Sequence, residues 1–144
     1  MAGKPDSVVI LGVFVADTAY RADRLPRMGE TILGRAFTLG PGGKASNQAV
    51  ASARAGARTH LITRLGADGF AELARATWAV GGVHPEVIED ADSHTGAAFI
   101  FVDDASGENA IIISPGAGGR ITPADVEGKA ALIEGAAVFV TQLE

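Results

Sequence analysis

Val8-Val9-Ile10-Leu11 is an unbroken run of β-branched and aliphatic residues near the start of the chain. A run without alternating polar residues is typical of a strand covered on both faces, as in a parallel sheet. Thr59 to Leu65 predicts a second strand, and Gly43 to Ala57 lies between the two with an alanine at every fourth position. An alanine stripe of this period predicts a helix that packs closely on a sheet. Strand, helix and strand in this order predict an α/β fold with a mostly parallel sheet.

The same alternation continues toward the end of the chain. Asp68 is a candidate N-cap for a helix whose apolar face includes Phe70 and Trp78 and which Gly81-Gly82 ends. Thr122-Pro123 predicts a further helix start, with Gly135 at its end. Ala137 to Val140 predicts one more buried strand.

Composition excludes several classes of function. The chain has 144 residues, of which 47% are hydrophobic and 20% charged, so it is long enough for one domain with its own core. A net charge of −5 argues against nucleic-acid binding, and no apolar stretch is long enough to cross a membrane. The absence of cysteine excludes a disulfide scaffold and thiolate chemistry, and we predict a cytoplasmic protein. His60, His84 and His94 lack metal-ligand spacing, so we predict no metal site.

Two segments interrupt the strand–helix alternation, at about 18–40 and 94–114. The second contains Asp103 to Gly107, a good hairpin turn between two β-prone stretches. Together the segments predict a small β-flap beside the main sheet. Phe37, Phe99 and Phe101 fall within it, and a small flap cannot bury both of its faces. We therefore expect the flap to cover a ligand or to pack on the flap of a second copy.

Several polar residues are expected at the carboxyl end of the predicted parallel strands, where α/β sheets bind ligands. Asp17 follows the first strand, and Glu144 follows the last. Gly43 opens the alanine-striped helix, and Lys44 and Asn47 lie in its first turns. Carboxylates, an amide and helix N–H groups suit a polyol, because hydroxyls both donate and accept hydrogen bonds.

A dinucleotide site is an alternative interpretation of the glycines that precede this helix. Gly40, Gly42 and Ala45 satisfy the pattern G-x-G-x-x-G/A. That pattern should directly follow the first strand of the sheet, whereas here the flap segment intervenes. The sequence thus leaves open an NAD(P)-binding dehydrogenase domain.

The order and spacing of motifs along the whole chain resemble the N-terminal half of the PfkB family, the ribokinase-like carbohydrate kinases. The Gly-Gly-Lys and Asn-Gln-Ala-Val parts of residues 42–50 are the most specific part of this likeness. The other matching motifs are Val9-Ile10-Leu11-Gly12, Ala16-Asp17, Gly29-Glu30-Thr31, Gly56, Gly66, Thr95-Gly96, Gly107-Glu108-Asn109, Pro115-Gly116-Ala117 and Gln142-Leu143-Glu144.

The resemblance implies a Rossmann-like ribokinase fold with a small β-lid, and ATP-dependent phosphorylation of a sugar hydroxyl with Mg²⁺. It implies a sugar site made of Asp17, Gly43, Lys44, Asn47 and Glu144. It also implies that the flap is a lid, which closes over the sugar and can pair with the lid of a second subunit in a homodimer.

Two departures from the family pattern shape these expectations. The ribokinase-like pattern has an asparagine two residues before the sugar-binding aspartate, and this chain has Val15. The family's catalytic base lies in a Gly-Ala-Gly-Asp segment of its second half, and this sequence contains no such segment. We therefore expect residues 1–144 to be the N-terminal part of one such domain, truncated, with no catalytic base and no activity alone. A non-catalytic sugar-binding or lid-dimerisation module is the remaining alternative.

Overall fold

The computed structural model describes residues 6–142. The strands are β1 Ser7–Leu11, β2 Val15–Ala22, β3 Ala36–Gly42, β4 Arg58–Leu65, β5 His84–Glu89, β6 Ala97–Asp103, β7 Asn109–Ser114 and β8 Val138–Thr141. The helices are α1 Lys44–Arg54, α2 Gly69–Gly81, α3 Pro123–Glu127 and α4 Ala130–Glu134, with a 3-10 helix at Gly116–Arg120.

These strands form two four-stranded sheets. The main sheet has the order β5-β4-β1-β8, and all of its neighbouring strands are parallel. The small sheet has the order β3-β2-β6-β7, with β2 parallel to β6 and the two outer pairs antiparallel. A parallel sheet flanked by helices confirms the predicted α/β class.

The hydrophobic core lies between the main sheet and helices α1 and α2. Trp78 of α2 is fully buried, and its indole N–H donates to Ser46 Oγ of α1 over 2.9 Å. Phe14, also fully buried, meets the Trp78 ring edge-on with 5.7 Å between ring centroids. Because Phe14 lies between β1 and β2, this contact packs the connection between the two sheets into the core.

The opposite face of the main sheet is held to α3 and α4 by ion pairs. Arg64 of β4 donates to both carboxylate oxygens of Asp125 in α3, at 2.8 and 3.0 Å. Lys129, just before α4, donates to Glu86 of β5 over 2.7 Å. Helices therefore cover both faces of the main sheet.

Strand β1 confirms the strand predicted from Val8 to Leu11, and the chain then enters the other sheet at Val15. Three local features differ from the sequence-based expectations. The helix predicted from Thr122 divides into two short helices around Gly128 and Lys129. Strand β5 was not predicted, because its sequence His-Pro-Glu-Val-Ile-Glu has a proline and no clear alternation. Strand β8 forms but is mostly exposed, since it is the outermost strand of the main sheet among the described residues.

No helix among residues 6–142 is long and apolar enough to span a membrane.

Candidate functional site

Asp17 lies on the small sheet, as the third residue of β2, and not in a loop after β1 as the sequence suggested. Its carboxylate lies over Gly42 at the end of β3, where a Cβ would come within 2.5 Å of Asp17 Cγ. Glycine at position 42 is therefore what allows the carboxylate to reach the start of α1. Partial burial raises the pKa of Asp17 above its ordinary value.

Gly43 connects the small sheet to α1 in a backbone conformation that favours glycine, with φ of 88°. A Cβ at this position would lie 2.5 Å from the carbonyl oxygen of Val13 and 2.9 Å from Phe14 Cα. The start of α1 is therefore packed directly on the connection between β1 and β2. No side chain among residues 6–142 caps α1, and the first turn of α1 contains no acidic residue. The N-terminus of α1, which carries the positive end of the helix dipole, therefore lies beside Asp17.

Lys44 and Asn47 lie in the first turns of α1, and both side chains are exposed. The Asn47 N–H closes the first helical turn on Gly43 O over 2.9 Å. The three-residue spacing of Lys44 and Asn47 places them on the same face of the helix. Asp17, Gly43, Lys44 and Asn47 therefore all lie at one end of α1. Glu144, the fifth predicted residue, lies outside the described residues.

Gln48 and Gln142 form a contact at this end of the sheet that the sequence interpretation did not assign. The Gln142 amide donates to Gln48 Oε1, so the end of β8 is linked to α1. Gly12 lies between Ala45 of α1 and Gln142, because a Cβ there would come within 2.5 Å of both Ala45 Cβ and Gln142 Oε1. Both glutamines fall within quoted motifs, but the sequence alone gave no sign that they pair.

The face of the small sheet that carries Asp17 is largely apolar. Asp17 lies opposite Ala98 of β6, and Ala98 lies opposite Ile113 of β7. Two positions further along, Ile100 lies opposite Ile111. Ile111 and Ile113 are 51% and 59% exposed. The carboxylate of Asp17 is therefore bordered by an apolar surface that is open in this structure.

The dinucleotide interpretation does not fit this geometry. Gly40 and Gly42 belong to β3 of the small sheet, whereas a dinucleotide loop follows the first strand of the parallel sheet. The space above Gly42 is filled by Asp17, so a pyrophosphate would meet a carboxylate there.

Within residues 6–142, no group of three or more histidine, aspartate or glutamate side chains is arranged to hold a metal ion. His60 instead contacts Glu86 through Nδ1 at 3.3 Å and stacks on His84.

Residues 5–142 match the family model described as pfkB family carbohydrate kinase. The chain belongs to this family. It is 38% identical over 141 residues to a ribokinase of Staphylococcus aureus, an alignment covering 96% of this chain and 46% of that protein. The chain spans less than half the length of the curated relatives it matches.

Solved structures of ribokinases share the fold of this family member. A ribokinase from Giardia lamblia superposes with a TM-score of 0.86 at 32% identity, covering 95% of this chain and 44% of that one. A ribokinase from Arabidopsis thaliana, solved with ribose and ATP, gives a TM-score of 0.82 at 29% identity and covers 96% and 46% of the two chains. The ribokinase-like fold predicted from the sequence is confirmed.

Proposed function

We propose that this chain provides the sugar-binding half of an ATP-dependent carbohydrate kinase. The observation that carries the proposal is the position of the Asp17 carboxylate, which lies over Gly42 at the amide end of α1. A carboxylate accepts hydrogen bonds from sugar hydroxyls, and uncapped helix N–H groups donate to sugar oxygens. Membership of a carbohydrate kinase family supports the same assignment.

Each candidate residue has a distinct part in this proposal. Asp17 accepts from two sugar hydroxyls, while Lys44 and Asn47 contact the sugar from the first turns of α1. The backbone at Gly43 approaches the sugar closely because no side chain intervenes. Glu144, by resemblance, approaches from the end of β8. Phosphoryl transfer depends mostly on such positioning and on electrostatics.

The small sheet acts as a lid in this proposal. Its Asp17-bearing face carries Ile100, Ile111 and Ile113, which would cover the apolar side of a bound sugar. Closure would exclude water, which otherwise competes with the sugar for the phosphoryl group.

ATP with Mg²⁺ is the phosphoryl donor that family membership implies. The described residues contain no cluster that would hold Mg²⁺, so we assign none of them to the metal. The sequence also lacks the Gly-Ala-Gly-Asp segment in which the family places its base. We therefore expect the 144-residue chain to bind sugar without phosphorylating it.

Val15 is expected to influence which sugar is bound. It lies two residues before Asp17 on the same face of β2 and is 7% exposed. A sugar hydroxyl directed at Val15 would lose its hydrogen bond to water without gaining another. We propose that the preferred sugar carries no hydroxyl at that point, which disfavours ribose.

The face of the small sheet opposite the one that carries Asp17 supports a lid-mediated homodimer. Tyr20 contacts Phe37 and Phe99, with ring centroids 5.0 and 5.6 Å apart. Phe37 is 57% exposed, and Ile112 on the same face is 70% exposed. We propose that a second copy covers this surface, because exposed apolar patches of this kind mark association sites. Sedimentation should show a dimer that Phe37→Ser weakens, and a wild-type monomer at all concentrations would contradict the proposal.

Calorimetric titration of the chain with pentoses, hexoses and nucleosides tests the sugar site. Asp17→Ala should weaken binding of the best sugar by about 10- to 100-fold, since hydrogen bonds to a charged group are worth about 1.5–3 kcal/mol each. Asp92→Asn, at an exposed position outside both sheets, is the matched control and should leave the affinity unchanged. Equal affinities in wild type and Asp17→Ala would remove Asp17 from the site.

A further inference from the structure

The Asp68 carboxylate bonds two backbone amides that belong to different parts of the fold. Asp68 Oδ1 accepts from the Ala71 N–H at 2.9 Å, which caps α2 as the sequence predicts. Asp68 Oδ2 accepts from the Thr95 N–H at 2.8 Å, 27 residues further along the chain. Thr95 immediately precedes the segment that enters β6 of the small sheet. One side chain therefore links the start of a main-layer helix to the base of the small sheet.

The junction around Asp68 is buried and closely packed. Thr95 is fully buried, and its Oγ1 accepts from the Gly66 N–H at 3.0 Å. A Cβ on Gly66 would lie 2.7 Å from the Thr95 nitrogen, so no larger residue fits between the two segments. Burial raises the pKa of Asp68, but the amide hydrogen bonds outweigh burial and hold that pKa below its ordinary value. Asp68 is therefore ionised at neutral pH, and both of its bonds are charge-assisted.

A short chain of hydrogen bonds leads from this junction to the candidate sugar site. The carbonyl of Gly96, the residue after Thr95, accepts from the Ala16 N–H at 2.8 Å. Ala16 is the neighbour of Asp17, and Ala98 lies directly opposite Asp17 in the paired strands β2 and β6. Movement at Thr95 would therefore be transmitted within three residues to the strand pair that carries Asp17.

We propose that Asp68 is a positioning residue for the sugar site, which sets the placement of the small sheet on the main layer and so aligns Asp17 with the start of α1. The inference rests on the proposed function for its effect on sugar binding, and on the structure alone for its effect on the small sheet. Asp68 itself does not touch the sugar in this account. It acts through its bond to the Thr95 amide, and from there through Gly96 and Ala16.

Asp68→Ser distinguishes the effect of the bond to the Thr95 amide from the effect of the bond to the Ala71 amide. A serine side chain caps a helix nearly as well as aspartate, so α2 keeps its N-cap while the bond to Thr95 is lost. Thr95→Val removes the acceptor of the Gly66 N–H and the side-chain hydrogen bond of Thr95 to Asp68, and leaves the Thr95 amide bonded to Asp68. Thr122→Ala is the matched control, because it removes the N-cap of α3, which lies outside the small sheet.

Hydrogen exchange of the full 144-residue chain gives the first readout. Asp68→Ser should raise the exchange rates of amides in β2 and β6 about tenfold and leave those of β1 and β4 unchanged. Thr95→Val should act in the same direction with a smaller effect, and Thr122→Ala should leave β2 and β6 unchanged. Unchanged exchange in β2 and β6, or an equal rise in both sheets, would overturn the proposal. An equal rise of the exchange rates in both sheets is the result expected if Asp68 acts only as the N-cap of α2.

Calorimetry gives the second readout, with D-ribose, 2-deoxy-D-ribose, D-fructose and adenosine as probes. Asp68→Ser should weaken binding of the best probe about tenfold, while Thr122→Ala should bind it as wild type does. Wild-type affinity in Asp68→Ser would contradict the positioning role even if exchange changed. If the wild type binds none of the four probes, the proposed function loses its support, and the exchange experiment still decides whether Asp68 positions the small sheet.

Discussion

The two sheets of this protein have the same number of strands, but the inner strands of the main sheet and the outer strand β7 of the small sheet differ sharply in how far their apolar residues are buried. In the main sheet, Val9, Leu61 and Ile62 are fully buried between helical layers. In the small sheet, every residue of β7 is exposed, and Ile112 retains 70% of its surface. The main sheet thus stabilises the fold, whereas the small sheet carries apolar surface that its own packing does not use. Such surface is consistent with a sheet that covers a ligand on one side and a second copy on the other.

Replacing one aromatic residue of the core beneath the main sheet and one of the small sheet by alanine should give the largest difference in the free energy of unfolding. Trp78→Ala should lower the free energy of unfolding by about 3–5 kcal/mol, because it empties the core between α1 and α2 and leaves Ser46 Oγ without its donor. Phe37→Ala in the small sheet should cost less than about 1 kcal/mol, since the ring is mostly exposed.

Urea denaturation of both variants, at a concentration where the wild type is monomeric, provides this measurement. Equal losses in the free energy of unfolding would mean that the small sheet stabilises the fold as much as the main layer does, and would contradict the contrast between the two sheets.

Two glycines three residues apart should differ almost as clearly in how far their substitution by alanine destabilises the fold. Gly43→Ala should lower the free energy of unfolding by at least about 2 kcal/mol, because it combines a strained positive φ with a clash against the Val13 carbonyl. Gly40→Ala in β3 should be tolerated, as a Cβ there meets no atom within 4 Å. Thermal unfolding of the two variants measures the difference. A Gly43→Ala variant as stable as Gly40→Ala would show that the junction between the small sheet and α1 is looser than the structure has it.

Glu86 of the main sheet and Asp17 of the small sheet should respond to pH with opposite signs, and this is expected to be a smaller effect than either of the substitutions above. The Lys129 ammonium lowers the pKa of Glu86 in the main sheet below its ordinary value. The ionised carboxylate therefore stabilises the fold above that ordinary value, and the contribution is lost as the pH falls through the lowered pKa. Burial raises the pKa of Asp17 in the small sheet above 3.8, so stability is lost as the pH rises through the raised value.

Unfolding followed between pH 3 and 7 should resolve these contributions. Glu86→Gln should flatten the loss of stability in acid, and Asp17→Asn should add a little stability at neutral pH. An Asp17→Asn variant less stable than wild type at pH 7 would contradict the assignment of Asp17 to ligand binding at the expense of stability.

Much of the main layer followed from local sequence signals. The Asp68 cap, the Trp78 face and the alanine stripe of α1 are set by interactions within a few residues, and the structure confirms each. Strand β5 could not be predicted from the sequence, because Pro85 and the nearby glutamates give no periodic pattern. Its pairing with β4 is decided by tertiary contacts.

The candidate site was less accessible from the sequence, because it depends on contacts between distant segments. Position after the first strand suggested a loop for Asp17, but the chain changes sheets at residues 12–14 and places Asp17 on a strand. The pairing of Gln48 with Gln142 spans 94 residues, and that of Asp68 with Thr95 spans 27. No local pattern encodes such partners. Phe101 illustrates the same limit, since it was expected to be exposed and is only 9% exposed.

Hydrogen exchange with and without sugar tests most directly whether the small sheet closes over a sugar held by Asp17. We predict that the best-binding sugar slows exchange in β2, β6 and β7 of the wild-type chain and has no effect on these strands in Asp17→Ala, while the amides of β4 remain unchanged in both. Exchange in the small sheet that is the same with and without a sugar shown by calorimetry to bind would contradict this closure.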